Sequence, residues 1–361
     1  MIPCPAVSAR EGLAIPGVEA AGHSPHPLHS DQRIWVEKNC YIDVWIEVLH
    51  SLGLEPTAIM PFASGIDFQG GQWTFIKPPH DELIDLYGIE VQELNVWLPL
   101  IEHAQELLAS GHLVSTEADA FWLPDTSGTD YRRNHVKTTI VLSELDLVRK
   151  RLGYFHNAGY FVLEEEDFSG TFELDGRVRR ELPLFAEVIC TDQLKSRPVA
   201  ELVSGSQRLW QRHLARSRAP DPVQRFQSRF ERELPAMQEK GMSHYHQWAF
   251  GTTRQLGAAS ELCCENLRWM QQHGVKGLDA AIASYMTVAI NCKTFILKAA
   301  RCVNSRRSQD FTQVFADLAR HWDRAREEAW GRLSGEPESW KHARSGDGSS
   351  LAGCSTRAMA K

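Results

Sequence analysis

The chain has 361 residues, of which 43% are hydrophobic and 24% are charged, a composition typical of a soluble globular protein with a sizeable core. The length predicts two domains, and no run approaches the ~20 apolar residues that a membrane span needs. The net charge of −7 is uneven: residues 1–190 carry 29 acidic against 13 basic residues (−16), and residues 191–361 carry 17 against 26 (+9). This asymmetry predicts either two domains with different partners or an ordinary solvated helical surface.

The first 30 residues have prolines and charges where a signal peptide would carry an unbroken apolar stretch, so we predict a poorly ordered leader on a cytoplasmic protein. Within this leader, His23, His26 and His29 in HSPHPLH are typical of a weak metal-binding tract. The tract lacks a fourth ligand of the usual kind, and we expect no metal site. The 8 cysteines show no C-x-x-C spacing, which indicates free thiols in a reducing compartment, most of them packed in helices.

The first elements of the chain are helices and one short strand pair. Residues 40–52 have apolar side chains at helical spacing and end at Gly-Leu-Glu-Pro. Aromatic and β-branched residues between glycines predict a short strand or loop pair in 65–79. A short helix over 81–87 and a longer one over 91–111 follow, and Pro99 should bend or divide the longer one.

Three later segments have the character of strands. Residues 112–126 alternate between the two faces of a strand, residues 135–146 have a β-branched centre, and residues 153–168 supply a third and a fourth strand. The first half is therefore predicted as helices followed by an antiparallel sheet, an α+β layout.

The second half of the chain has helical periodicity, and we predict an all-α domain, a bundle, after residue 191. Its helical stretches are 196–216, 221–239, 243–273, 276–303 and 308–333. The last residues are polar and rich in Gly and Ser, which predicts a disordered tail. The predicted divisions are a leader at 1–30, a catalytic domain at 31–191, a helical domain at 192–333 and a tail at 334–361.

Cys40 stands where the first helical pattern begins. A cysteine in the first turn of a helix faces unpaired N–H groups and the positive end of the helix dipole, and both stabilise a thiolate. The same N–H groups can receive an oxyanion when the sulfur attacks a carbonyl. The alternative is a buried structural cysteine, since free cysteine is among the most buried residue types.

A nucleophilic cysteine needs a base, and the base needs a group that orients it. In the papain-like arrangement the cysteine opens a helix, the histidine comes from a strand well downstream, and an Asn or Asp on the next strand fixes the imidazole. His135 starts a predicted strand, and Asn157 lies at the start or turn of the following one. The sequence thus predicts a catalytic trio of Cys40, His135 and Asn157.

Five further residues are candidates for substrate binding. Gln72 and Trp73 lie in GGQW, where the glycines let the backbone approach closely, and either could border the cleft, although Trp73 also suits a core. Asp125, Asp130 and Arg132 lie in the loop just before the candidate base. They form either a polar turn or the mouth of the site, where they could bind the amino group of an aminoacyl cargo.

Four blocks of sequence carry a resemblance that runs from about residue 30 to about residue 330: NCYIDVWIEVLHSLGLEP, FQGGQWTFIKPPHDELIDLYGIEVQELNVW, DAFWLPDTSGTDYRRNHVKTTIVL and GYFHNAGYFVL. They resemble an uncharacterised bacterial family whose members occur near stand-alone amino acid:carrier protein ligases. More distantly, a cysteine that opens a helix, followed by LPDT, a histidine and a strand, is similar to the butirosin-type acyltransferases. Those papain-like enzymes move an aminoacyl group from a carrier-protein thioester to an amine.

The distant resemblance implies a papain-like N-terminal domain with Cys40 as nucleophile, His135 as base and Asn157 as the orienting residue. The butirosin-type enzymes usually have Asp in the third role, whereas this chain offers His156 and Asn157, so either of the two remains a candidate. The resemblance also implies an acidic acyl or aminoacyl carrier protein as donor, which itself carries the phosphopantetheine, and a small-molecule or peptide amine as acceptor.

The chemistry of thiols favours the same substrate class, because a thiolate exchanges readily with a thioester and the acyl-enzyme can then pass to an amine. A helical domain at +9 suits an acidic carrier protein. We do not expect nucleic acid as a partner, since the basic residues form no run of five or more and no aromatic–basic motif. The leading expectation is therefore an acyltransferase without a cofactor of its own and without a membrane partner. A thioesterase or amidohydrolase of the same fold, and a non-catalytic carrier-binding protein, are the alternatives.

Overall fold

The computed structural model describes residues 12–174, 185–216 and 221–334 and has an α+β architecture. Antiparallel sheets lie in the first half of the chain, and most of the ten described α-helices lie in the second half. The predicted fold class is confirmed at this level. The predicted tail, apart from its first residue, lies outside the described residues.

The strands and helices of the first half follow one another in a mixed order. Its strands are β1 (Gly12–Leu13), β2 (Phe68–Gln69), β3 (Gln72–Trp73), β4 (Glu90–Glu93), β5 (Leu113–Asp119), β6 (Lys137–Asp146), β7 (Arg151–His156), β8 (Gly159–Glu164) and β9 (Ala186–Cys190). Its helices are α1 (Cys40–Ser51), α2 (His80–Tyr87), α3 (Leu100–Ala109) and α4 (Glu165–Thr171).

The main sheet has the strand order β4-β9-β5-β6-β7-β8, and β1 pairs with the end of β6. All of these pairings are antiparallel, and β2 and β3 form a separate hairpin. Glu117 on β5 lies opposite Thr139 on β6, and Asp119 lies opposite Lys137. Because side chains alternate along a strand, Thr139 faces α1 while Thr138 faces the opposite side, where α3 and α4 pack.

Helix α1 lies in the core between the sheet and the N-terminal segment. Its first turn is capped by Asn39, whose side-chain oxygen accepts hydrogen bonds from the amides of Tyr41 and Ile42 at 3.1 and 3.0 Å. The predicted helix is confirmed, but it is buried from Tyr41 to Leu49 rather than on one face only. Asp43 and Glu47 are therefore buried carboxylates.

Residues 12–30 are ordered, which corrects the prediction of a poorly ordered leader for this part of the chain. Gly12 and Leu13 pair with the end of β6, and the segment then crosses α1. There the ring nitrogens of His29 lie 2.5 Å from Glu47 and 3.0 Å from Asp43. The physical reason is that two buried carboxylates need hydrogen-bonding partners of opposite charge, and the histidines of the leader supply them.

The second half is a helical bundle made of α5 (Val199–Ala215), α6 (Pro222–Lys240), α7 (Met242–Gly251), α8 (Thr253–Gln272), α9 (Asp279–Ser305) and α10 (Thr312–Leu333). By length and composition α9 is apolar enough to cross a membrane, a property that the core helix of a bundle shares. Here α9 packs against both α8 and α10.

Two predicted helices differ from the observed elements. The stretch 91–111 contains β4 followed by α3, because residues 90–93 pair with β9 and Pro99 caps the start of α3. The stretch 243–273 divides at Thr252 into α7 and α8.

One hydrophobic core runs through both halves. Trp73 of the β2–β3 hairpin packs against Phe226 of α6 and Trp322 of α10, with ring centroids 5.7 and 6.4 Å apart. Buried polar contacts also cross the junction, since the side-chain amide of Asn266 on α8 donates to the carbonyl of Thr57 at 2.7 Å. The halves are therefore packed as one body rather than joined by a wet interface.

Candidate active site at the head of α1

Cys40 is the first residue of α1, as predicted, and its side chain is half-buried. Its sulfur donates to the hydroxyl of Thr139 at 3.6 Å. Asn39 occupies the amides of Tyr41 and Ile42, so these two groups are not free to receive an oxyanion, contrary to the expectation from the sequence. The amide of Cys40 itself has no partner among the described residues.

His135 belongs to a histidine–carboxylate pair. Its Nδ1 donates to Oδ2 of Asp119 at 2.7 Å, and its ring stacks on Phe121 with centroids 4.5 Å apart and an interplanar angle of 13°. With Nδ1 protonated, a neutral ring carries its lone pair on Nε2. The side chain is 70% exposed, so this nitrogen is open to solvent. The residue that orients His135 is thus Asp119, which the sequence reasoning missed.

His135 and Cys40 are not hydrogen-bonded to each other. His135 precedes Thr139 by four residues, which corresponds to ~13 Å along a strand. Between them the ammonium group of Lys137 pairs with Glu117 at 2.6 Å on the same face of the sheet. The two residues therefore border one side of the sheet without forming the contact that the papain-like arrangement predicts.

The predicted third residue does not orient His135. Asn157 lies in the tight turn between β7 and β8 and has a φ of +45°, a conformation that Asn tolerates better than most residues. His156, the alternative, faces the other side of the sheet and is buried. Its Nδ1 donates to Asp125 at 2.5 Å, and its Nε2 accepts from the hydroxyl of Thr138 at 2.8 Å.

The three candidates in the loop before β6 serve to anchor that loop. The hydroxyl of Tyr154 donates to Asp125 at 2.5 Å, and Asp130 accepts from Asn134 at 3.2 Å. Arg132 donates to Asp167 of α4 at 2.6 Å. The structure therefore favours the polar-turn interpretation of these residues over a ligand-binding mouth.

Gln72 and Trp73 lie on the β2–β3 hairpin, where Gln72 is exposed and Trp73 is a core residue. The segment after the hairpin, rather than the hairpin itself, borders the head of α1. There the amide of Asn39 donates to the carbonyl of Ile76 at 2.9 Å, and the ammonium of Lys77 lies 5.4 Å from the ring centroid of Tyr41.

A second histidine–carboxylate pair, absent from the sequence prediction, lies beside Tyr41. The hydroxyl of Tyr41 donates to Oε2 of Glu187 at 3.0 Å, and Nε2 of His80 lies 3.1 Å from the same hydroxyl and 3.4 Å from Oε1 of Glu187. Burial lowers the pKa of His80 although the nearby Glu187 opposes this. Burial, with the charge of Glu187, raises the pKa of Tyr41. The only sequence signal was a single Glu within the apolar run FAEVIC.

The remaining described cysteines are Cys190, which is half-buried, and four buried residues of the helical half. Burial raises the pKa of the Cys263 thiol and raises that of Cys264 to about 12, so both stay protonated. They pack in the core without a disulfide, in agreement with the expectation from the sequence.

Part of the charge asymmetry is used inside the molecule. Arginines of the helical half pair with acidic residues of the first half in Arg212–Asp81 at 3.1 Å and Arg225–Asp67 at 2.7 Å. The asymmetry therefore has an intramolecular explanation and does not by itself indicate an acidic partner. Within the described ranges, no group of three or more His, Cys, Asp or Glu side chains is arranged to hold a metal ion.

Comparison with known families gives two matches that together cover most of the chain. The model of the DUF1839 N-terminal domain matches residues 24–191, and the model of the DUF1839 C-terminal domain matches residues 199–329. No curated protein matches the chain. The matches assign no activity, so any function has to be argued from the site.

Proposed function

The chain belongs to the DUF1839 family, and we propose that it is a cysteine-dependent acyltransferase whose first half is a papain-like catalytic domain. The acyl donor is a thioester on the phosphopantetheine arm of an acyl or aminoacyl carrier protein. The acceptor is a small-molecule or peptide amine. The choice of donor and acceptor follows the resemblance to the butirosin-type enzymes and the family found beside amino acid:carrier protein ligases.

The observation that carries this proposal is the placement of Cys40. Cys40 is half-buried at the first position of a helix, and its own amide has no partner among the described residues. The positive end of the helix dipole can stabilise negative charge that develops during the reaction, and the free amide can donate to an oxyanion. No other described cysteine begins a helix.

In the first half of the reaction, the Cys40 thiolate attacks the carbonyl carbon of the donor and the bond from that carbon to the pantetheine sulfur breaks. The proton lost by the Cys40 thiol ends on the departing pantetheine thiol. The proposal assigns this transfer to solvent water at the half-buried Cys40, because His135, although Asp119 holds its ring by one nitrogen, is not hydrogen-bonded to the Cys40 sulfur.

The test is to incubate the protein with alanyl-carrier protein and to measure its intact mass. We expect an added mass of one alanyl group on the wild type and on Cys190→Ala, the matched control at the other half-buried cysteine, and its loss in Cys40→Ala. An adduct that survives in Cys40→Ala, or none on the wild type, would contradict the proposal.

Hydrolysis of the same acyl-enzyme is the nearest alternative function, since His135 and its surroundings are open to water. Free alanine release with and without an added amine separates the two. Transfer predicts that the amide product forms at the expense of free alanine as the amine concentration rises. A carrier-binding protein without catalysis predicts neither product while carrier binding persists in Cys40→Ala.

A further inference from the structure

In the second histidine–carboxylate pair, His80 is placed as a base, and Glu187 and Tyr41 are placed to orient it. Because the Tyr41 hydroxyl gives its proton to Glu187, the Tyr41 oxygen can accept the proton that His80 carries on Nε2. A neutral His80 then has its lone pair on Nδ1. This nitrogen has no hydrogen-bond partner among the described residues, and the side chain is 30% exposed.

The burial of Glu187 sets the properties of this pair. Its side chain is 2% exposed, and a buried carboxylate is costly unless hydrogen-bonded groups compensate it. Tyr41 and His80 are the compensating groups. The burial that lowers the pKa of His80 also keeps this imidazole neutral near neutral pH, which is the state that can take up a proton.

The pair lies on the same face of the sheet as Cys40. Glu187 on β9 is opposite Ser115 on β5, and Glu117, two residues further along β5, is opposite Thr139 on β6. Thr139 on β6 contacts the Cys40 sulfur. Glu187 on β9 lies two strands away from β6, which corresponds to about 10 Å across the sheet. The pair formed by His135 and Asp119 lies in another direction, along β5 and β6. Cys40 thus has one histidine–carboxylate pair on each of two sides.

We infer that His80, oriented by Glu187 and Tyr41, is the base that takes the proton from the acceptor amine in the second half of the reaction. This inference rests on the proposed function, because it concerns the acyl group held on Cys40. The amine nitrogen bonds to the acyl carbon while one of its protons moves to Nδ1 of His80. The bond from carbon to the Cys40 sulfur then breaks, and the thiolate recovers a proton from the imidazolium. The products are one amide and the free thiol.

The experiment separates the two halves of the reaction. Alanyl-pantetheine is added to load Cys40, the acyl-enzyme is measured by intact mass, and glycinamide is then added to discharge it. In His80→Gln we expect loading at the rate of the wild type and discharge slower by about 100-fold or more. Glu187→Gln should slow the discharge less, because it misorients the base without removing it.

His112→Gln is the matched control, since His112 also faces a carboxylate, that of Asp192 at 3.8 Å, and should load and discharge as the wild type does. The pH dependence of the discharge rate is a second measurement, and a purely structural role of His80 would leave it unchanged. In the wild type the discharge rate should rise with pH as His80 loses its proton, and this rise should disappear in His80→Gln.

The outcomes are distinct. Discharge of His80→Gln at the rate of the wild type overturns the inference and leaves the proposed function standing. Slow loading of His80→Gln also overturns it, because His80 would then act before the acceptor arrives. A wild type that takes up no acyl group overturns the proposed function and this inference together.

Discussion

At the scale of single residues, the unusual group is His29. Both of its ring nitrogens face carboxylates, Glu47 on one side and Asp43 on the other, and all three side chains are fully buried. Burial by itself lowers the pKa of His29, but the hydrogen bonds to the two carboxylates outweigh it, and the net pKa is raised. His29 is therefore an imidazolium that joins the N-terminal segment to α1.

Ionisable groups beside His29 also have shifted pKa values, so a pH experiment must compare a His29 variant with the wild type. Hydrogen bonds from His23 and His29 lower the pKa of Glu47 to about 2 in spite of its burial. Burial lowers the pKa of His26 to about 4, so this ring stays neutral and acts in the opposite sense to His29. Lys38, buried beside Asp43, has a pKa lowered by burial. These groups titrate in the wild type and in a variant at His29 alike. The difference in the free energy of unfolding between the two proteins at each pH therefore reports on His29.

We predict that His29→Gln destabilises the protein by about 3–5 kcal/mol at pH 6, because it removes the cation that lies between two buried carboxylates. A group whose pKa is raised on folding contributes fully below its unfolded value of 6.5 and loses that contribution as the pH rises through the folded value. The difference between variant and wild type should therefore shrink toward pH 9. Urea unfolding at both pH values measures it.

The exposed His246 on α7 provides the control, and His246→Gln should match the wild type at each pH. A His29→Gln variant as stable as the wild type at pH 6, or a loss that is the same at pH 9, would show that His29 is not charged in the folded protein.

The sequence analysis singled out Cys40 and His135 as candidates because each stands at the start of a periodic segment. It misassigned Asn157 because the third residue of such a site depends on which strands are neighbours. β5, which carries Asp119, precedes β6 along the chain, whereas the papain-like analogy looked for a residue after it. Glu187 was missed for the same reason, since only the pairing of β9 with β5 brings it near α1.

At the scale of elements, the head of α1 depends on one side chain. Asn39 caps two amides with its oxygen and, through its nitrogen, holds the carbonyl of Ile76 in the segment that borders the site. The cap thus joins the position of the Cys40 helix to that of the segment leading to His80.

We predict that Asn39→Ala lowers the free energy of unfolding by about 1–2 kcal/mol, the usual value of an N-cap. Asn39→Asp keeps an acceptor for the two amides and loses only the donor to Ile76, so its loss should be smaller. Guanidinium unfolding of both variants measures the difference. Equal losses would mean that the contact with Ile76, and not the cap, is what stabilises this end of the helix.

The sequence pattern predicted the long elements, the short β2–β3 pair and the short helix α2, and it failed at β4. The strands β5, β6, β7 and β8 follow from alternation and the helices of the second half from their spacing. The four residues of β4 form a strand only because β9 lies beside them, and their own pattern suits a helix. The anchoring of Asp125 by Tyr154 and His156 likewise depends on the sheet, so the sequence left open whether this residue belongs to a polar turn or to the mouth of a site.

At the scale of the whole molecule, the shared core determines how the protein unfolds. The composition shift near residue 191 suggested two separate domains, but Trp73 of the first half and Trp322 of the second lie in one cluster. A change in side-chain volume at this contact therefore disturbs the packing of both halves.

We predict one cooperative unfolding transition, seen equally by far-UV and near-UV circular dichroism. Trp322→Ala, which empties a buried site, should shift the whole transition and cost about 3–5 kcal/mol. Trp97, whose side chain is exposed, supplies the control, and Trp97→Ala should leave the midpoint unchanged. Two separated transitions, or a shift confined to one signal, would mean that the halves unfold independently.

The ordered crossing of the N-terminal segment over α1 has a practical consequence for shortened versions of the chain. Trimming to residue 31, the start suggested by composition, removes the edge pairing to β6 together with both rings that hydrogen-bond to Glu47. If such a fragment is insoluble, the cause is that two buried carboxylates of α1 have lost their histidine partners. The result carries no information about the chemistry of Cys40.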